Sequence, residues 1–300
     1  MYFYCRFDDL IVNEQLNDYK EQLHDYEEKK RAGLYCSSSC LEETLEVGST
    51  AVCAFIDKSN ITIANLGDSR AILIADDIIF ETKDHKPNDD IEKRRINAAG
   101  YEVVNGRVDR ELAVSRALGD TKYKLDKNIS TKTLAEIKAV ERVPEITKIQ
   151  RDPSHKFLVI ASDGVTNALK LAKVTIDSII DEQLKLTNDL KEVSIAILNF
   201  CLSWNSEFSD NLTLILIALK KLDIKVEDEV VEANKIFENE VKNKILTILK
   251  DSRGKWDGQS MCLYYIVRNK FGESGVEKFR YKITFIDQIV ENYWSNVCNA

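Results

Sequence analysis

The stretch AVCAFIDKSNITIANLGDSRAILI, residues 51–74, decides the fold class. It holds three short apolar segments, at 51–56, 61–66 and 71–74, separated by polar turns, which predicts an antiparallel meander. Downstream, 91–99 reads as a helix stopped by Gly100, and 157–161 as a fully apolar strand buried on both faces. Leu190, Val193, Ile197 and Cys201 fall at helical spacing, after which 212–219 returns to strand. Upstream, 3–7 is an aromatic-rich strand candidate. Residues 14–31 are highly charged and free of Pro and Gly, predicting a solvated helix. Strands in runs, with helices segregated between them, indicate an α+β sandwich rather than a parallel βαβ sheet. From residue 223 the character changes: 226–250 reads as one long amphipathic helix, followed by patterned segments at 261–269 and 285–294. The expected division is therefore a domain over 1–222 and a helical C-terminal extension over 223–300.

Three hundred residues with 44% apolar side chains suffice for a real core. A net charge of −8 argues against a nucleic-acid binder, which needs clustered Lys and Arg. No apolar run of about 18 residues occurs, so no membrane span is expected. The N-terminus lacks a basic segment followed by an apolar one, so it does not read as a secretory signal. Seven scattered cysteines, an odd number, read as reduced thiols in a cytoplasmic or nuclear protein. Cys36 and Cys40 lack the partners of a zinc set.

Seven strings are too particular for a generic domain. They are Gly48-Ser49-Thr50-Ala51, then Ala64-Asn65-Leu66-Gly67-Asp68-Ser69-Arg70-Ala71, then Asp84-His85-Lys86-Pro87. Arg95-Ile96 with Ala99-Gly100 follows, then Leu112-Ala113-Val114-Ser115-Arg116-Ala117-Leu118-Gly119-Asp120. Ala161-Ser162-Asp163-Gly164 and Ser209-Asp210-Asn211-Leu212-Thr213 complete the series. In this order and at these spacings they resemble the type 2C metal-dependent protein serine/threonine phosphatases, over roughly residues 3–219. The resemblance implies a four-layer αββα sandwich of two antiparallel sheets flanked by helices. It also implies two Mg²⁺ or Mn²⁺ ions and a phosphoprotein substrate.

The chemistry of the residues agrees. Two hard divalent ions about 4 Å apart polarise a phosphoryl group and ionise the attacking water, and they want oxygen ligands with several waters retained. Asp163 ends the strand 157–161, and Asp210 immediately precedes the strand 211–219. Each alone reads as a turn former; together, in the family's places, they read as metal ligands. By resemblance a third ligand comes from an Asp-Gly-His-Gly-Gly string, which this sequence lacks. Its nearest match, Phe3-Tyr4-Cys5-Arg6-Phe7-Asp8-Asp9-Leu10, puts Asp8 at the metal-bridging position. Asp9 then stands for a coordinating glycine, and Leu10 for the histidine that protonates the leaving group. Losing such an acid costs about 10²–10⁴-fold. Arg6 would share a strand face with Asp8 about 7 Å away, most simply as an edge arginine.

The family's first strand, with its phosphate-gripping arginine, has no counterpart before Phe3; an incomplete N-terminus would explain that equally well. Asp84 matches a weaker metal position whose acidic partner is here Asn167. Gly67-Asp68-Ser69-Arg70 reads as a structural turn. Ser115-Arg116 and Asp120 read as framework beside a substrate flap at 121–143. His24, His85 and His155 have no partners at metal-ligand spacing. The expected function is metal-dependent hydrolysis of phosphoserine and phosphothreonine on proteins by a monomer, weakened by the lost histidine and arginine. The alternative is an inactive pseudophosphatase that serves as a binding or scaffolding module.

Overall fold

The computed structural model describes residues 2–32, 44–126, 135–204 and 210–222, with isolated helical positions at 239, 243 and 246. The expected extension over 223–300, the Cys36/Cys40 pair and Ser209 lie outside the described residues. The chain is α+β: helices combined with antiparallel ladders. It falls into two compact units, one of residues 1–73 and 79–154, the other of 74–78 and 155–300.

In the first unit, helix α1 (Tyr2–Arg31) precedes β1 (Gly48–Ser49), β2 (Ala51–Ile56) and β3 (Asn60–Leu66). Next come β4 (Arg70–Ile74), β5 (Ile78–Glu81), α2 (Asp90–Ala98), β6 (Val103–Val104), β7 (Arg107–Val108), β8 (Leu118–Gly119) and β9 (Glu145–Gln150). Only the first two segments of the expected meander pair: β2 runs antiparallel to β3, Ala51 opposite Leu66 through Ile56 opposite Ile61, whereas β4 does not join their sheet and so the 51–74 stretch is a hairpin followed by a strand of another sheet. On its other side β3 takes up β9, which no local pattern announced. Ile61, Ile63 and Leu66 are fully buried. A second cluster gathers Ile96, Tyr101, Val108, Ala117, Tyr123 and Val140 around α2. Beside it Glu92 lies buried between Arg116 (2.7 Å) and Arg95 (2.8 Å). Burial pushes its carboxyl up, but the hydrogen bonds from Arg116 and the charge of Arg95 outweigh that and bring it to about 2.

The strand expected at 3–7 is not formed; the segment is the first turns of α1. The aromatic run suggested alternation. No Pro or Gly interrupts 2–31, however, and Tyr4, Asp8, Val12 and Gln15 recur at the helical period. All four are buried, so they form the inward stripe of the helix. Tyr4 packs with Leu66 and Leu118, and its hydroxyl donates to the Ala64 carbonyl (3.1 Å). Exposed pairs such as Lys29–Asp25 support the distal end.

That stripe carries a charge into the interior. Asp8 is fully buried, and its Oδ1 accepts from the Gly119 backbone N–H (2.9 Å) and from the Lys124 ammonium. Lys124, equally buried, also donates to the Ala117 carbonyl (2.9 Å). Gln15 donates to the Val47 carbonyl (2.7 Å) and accepts from the Thr121 hydroxyl. Next in the chain to Gly119, Asp120 sits in the left-handed region at φ 47°. Its carboxyl lies so close to the Gly48 Cα that a side chain there would overlap it, which explains the glycine of the Gly48-Ser49-Thr50-Ala51 string. Burial raises the Asp120 carboxyl to about 7; the Lys124 charge opposes the shift, and Asp8 and Glu46 add to it.

Two outcomes follow. Breaking a buried ion pair strands the other charge, so Lys124→Met should destabilise the protein by about 3–5 kcal/mol, with Asp8→Leu recovering most of the loss. Simple additivity in denaturant titrations of the double variant would refute the coupling. Asp120 holds a proton in the folded protein that the unfolded chain loses near pH 4. Its contribution is therefore present below that pH and is lost as pH rises towards 7. Asp120→Asn should flatten the stability profile across that window, measured as urea midpoint against pH.

Candidate active site

The second unit contains β10 (Phe157–Ala161), α3 (Asp163–Ala172), α4 (Ile176–Leu184), α5 (Leu190–Trp204) and β11 (Leu214–Ala218). β10 and β11 pair antiparallel, Phe157 opposite Ala218 through Ala161 opposite Leu214. Phe157, Leu158 and Val159 are fully buried, as the apolar run required. The expected helical stripe of α5 also faces inward: Val193, Ile197 and Cys201 are buried, together with Val165 of α3 and Ile179 of α4. Burial pushes the Cys201 thiol up to about 12, which keeps it an inert packing group.

The two strands end together, and one side chain fixes how. Ser162, between β10 and α3, donates its N–H to the Thr213 carbonyl (3.0 Å). Its hydroxyl accepts from the Thr213 N–H (3.0 Å) and donates to the Asn211 carbonyl (3.1 Å). Ser162 is also the extended residue before the first turn of α3, at φ −70° and ψ 163°. Asp163 follows as the first residue of that helix, where the positive end of the helix dipole favours a carboxylate. Gly164 is buried against the neighbouring loop; a Cβ there would stand 2.5 Å from the Asn211 carbonyl oxygen. The backbone thus approaches closely only because the residue after Asp163 is glycine. Asp210 lies just before this loop, exposed, its Oδ1 accepting from the Asn211 N–H (2.8 Å). The geometry brings Asp163 and Asp210 to the same end of the β10–β11 pair.

The other expected ligands are placed differently. Asp8 is on a helix, not at a strand end, and is engaged by Lys124 and Gly119. Asp9 is ion-paired with Arg142. Leu10, 63% exposed, faces away from the stripe, so it does not occupy a turn following a strand. Arg6 is exposed and, two residues from Asp8 on a helix, cannot share its face. The stretch 3–10 is therefore a helix of different purpose rather than a damaged copy of the glycine-rich string. Asp84 is held by the fork of Arg70, at 2.7 and 3.1 Å. Asn167 is exposed on α3. Asp68 is ion-paired with Lys86, and Ser69 shares a 2.9 Å hydroxyl bond with Thr50, so the Gly67-Asp68-Ser69-Arg70 turn is structural as expected. His85 is buried, its Nδ1 accepting from the Gly67 N–H (3.1 Å); burial and then the Arg116 charge depress its pKa. Among the described residues, no group of three or more His, Cys, Asp or Glu side chains is gathered for a metal ion.

Sequence reasoning missed Lys124 and Ser162. Lys124 had no sequence signal beyond a basic residue in the expected flap. Ser162 was visible within the Ala161-Ser162-Asp163-Gly164 string, but its double bond to 211–213 depends on the β10–β11 register. No helix among the described residues is long and apolar enough to cross a membrane.

Comparison with known proteins agrees with this arrangement of motifs. A profile of the family described as Protein phosphatase 2C matches residues 6–210. Protein phosphatase 1B of Rattus norvegicus is 34% identical over 207 residues, 68% of this chain and 50% of the relative. Protein phosphatase ppm-1.A of Caenorhabditis elegans is 35% identical over 171 residues, 57% of this chain and 35% of the relative. The crystal structure of a Toxoplasma gondii phosphatase is 30% identical, with a TM-score of 0.46, covering 54% of this chain and 50% of that one. The chain spans about half the length, or less, of these relatives. The profile match over residues 6–210, more than half of the chain, makes this chain a member of the protein phosphatase 2C family.

Proposed function

We propose that the chain hydrolyses phosphoserine and phosphothreonine on proteins, with Mg²⁺ or Mn²⁺ held at the Asp163–Asp210 end of the β10–β11 pair. The observation that carries this reading is the placement of the two carboxylates: Ser162 and Gly164 lock 162–164 against 211–213. The donor set fits the ion. Mg²⁺ takes one or two carboxylates and keeps several waters, and both aspartates are at least partly open to solvent. Such an ion, when bound, supplies a polarised phosphoryl group and an acidified water. The chain's own residues supply rigidity: a short side chain on the first turn of a helix loses little entropy on holding a ligand. Asp8, Asp9 and Asp84, each engaged by a cation of the chain itself, are read here as structural.

A second reading, a binding module without turnover, draws support from the same observation about Asp8: the donor set among the described residues stops at two carboxylates. Turnover separates the readings. With Mn²⁺ present, a phosphothreonine peptide should be dephosphorylated, and Asp163→Asn should lower the rate by at least about 10²-fold, the scale of losing one electrostatic anchor of the transition state. Mn²⁺ binding, followed by calorimetry, should weaken in the same variant. Retained binding without turnover in the unmodified, folded protein would favour the binding module. Gly164→Ala, which forces Asn211 away, should also weaken Mn²⁺ binding while both aspartates remain; unchanged affinity would show that the close approach is not what places them.

A further inference from the structure

One corner of the first unit encloses charges that do not balance. Asp8 of α1 and Lys124 are fully buried, and Asp120, next after β8, is 3% exposed. Two carboxyl groups thus share one buried ammonium. Lys124 donates to Asp8 Oδ1, whereas Asp8 Oδ2 is buried without a hydrogen bond. The charged groups nearby are already engaged. Glu46, from the turn 44–46, bears on Asp120 as a second negative charge and takes Lys122 (2.7 Å), which also reaches Glu111 (3.0 Å). Tyr123 donates to Glu111 (2.7 Å). Arg142 stands 3.9 Å from Asp8 Oδ2 and is ion-paired with Asp9. Among the described residues, Lys124 is left to serve both buried carboxyl groups.

Like charges held together away from water cannot both ionise cheaply, so one of the two keeps its proton. Asp8 accepts from the Gly119 N–H and from the ammonium and is the ionised member; Asp120 is the neutral one. The two are also joined through the backbone. The Asp120 N–H donates to the Val47 carbonyl (2.8 Å), which receives Gln15 of α1 as well (2.7 Å). Movement of the Asp120 turn therefore reaches α1 at Asp8 and at Gln15. We propose that Asp120 is a proton-operated latch on α1. Neutral, it leaves Lys124 to Asp8 and the helix stays docked; ionised, it draws the ammonium away and residues 8–15 let go of this corner. An open corner gives up the Asp120 proton at about pH 4, as a solvated aspartate does. The closed corner keeps it up to about 7. Opening thus becomes easier as pH rises from about 4 towards 7, and levels off above that.

Amide hydrogen exchange, corrected for the intrinsic effect of pH on exchange, reads the latch residue by residue. In the unmodified chain the Gly119 N–H and the amides of 8–15 should exchange faster than the β2–β3 ladder, through an opening smaller than unfolding. Their protection should fall by at least about tenfold between pH 5 and pH 7 and then level off. Asp120→Asn, whose side chain tolerates the left-handed backbone, should remove that dependence. Glu46→Gln takes a negative charge away from Asp120 and should move the levelling-off to lower pH. Protection of 8–15 that does not change with pH overturns the proposal. So does exchange of 8–15 only in step with the β2–β3 ladder, or a pH dependence that survives Asp120→Asn. If Asp120→Asn fails to fold, carbon-13 titration of the Asp120 carboxyl in the unmodified chain decides: a midpoint at about 4, the solvated value, overturns the latch.

Discussion

Two full charges, Asp8 and Lys124, lie in the interior of the first unit with no solvent to share them, and much of that unit is arranged around this fact. Desolvating an ammonium and a carboxylate costs several kcal/mol each, and their attraction compensates only when the remaining hydrogen-bonding capacity is met. Here the Gly119 N–H and the Ala117 carbonyl meet part of it, while Oδ2 of Asp8 stays buried without a hydrogen bond. Both come from the short segment around β8, so helix α1 and that corner are positioned by one interaction. The neighbouring turn inherits the constraint: Asp120 takes a left-handed conformation, Gly48 has no side chain, and Thr121 turns its hydroxyl to Gln15. Burial also holds the Lys124 pKa below its usual value, against the pull of Asp8 and Asp120.

The candidate active site in the second unit is held by another kind of force. At the 162–164 turn a serine hydroxyl acts as both donor and acceptor, beside a glycine that permits close contact. Neutral hydrogen bonds of this sort contribute about 1 kcal/mol each. What they give instead is direction. A cation beside a carboxylate competes with a metal for its oxygens, as the Lys124 ammonium does at Asp8 and the guanidinium groups of Arg142 and Arg70 do at Asp9 and Asp84.

The sequence was most legible where one chemical reason governed a residue. The apolar run at 157–161, the Asp-Gly pair at 163–164 and the hairpin at 51–66 all stand where their patterns put them, while the strand at 70–74 leaves the expected meander for another sheet. The family was legible too, since seven strings in order are hard to meet by accident. The N-terminal segment misled because Tyr4 and Asp8, four apart, share a face under either pattern. An aromatic strand ending in aspartate and an inward helical stripe differ only in period. The absence of any Pro or Gly through residue 31 was the deciding signal. The pairing of β3 with β9 and the meeting of Asp8 with Lys124 were beyond local reading, because they join residues 80 to 116 positions apart.

That last separation bears on how the chain is made. The ribosome adds roughly 5–20 residues per second, so 116 residues lie between synthesis of Asp8 and synthesis of its counter-charge. For several seconds at least, helix α1 is outside the tunnel with a carboxylate on its inward side that has no counter-charge to meet. During translation the helix is thus an unpaired amphipathic element of the kind that chaperones bind, and the first unit can close only after the Lys124 codon has been read.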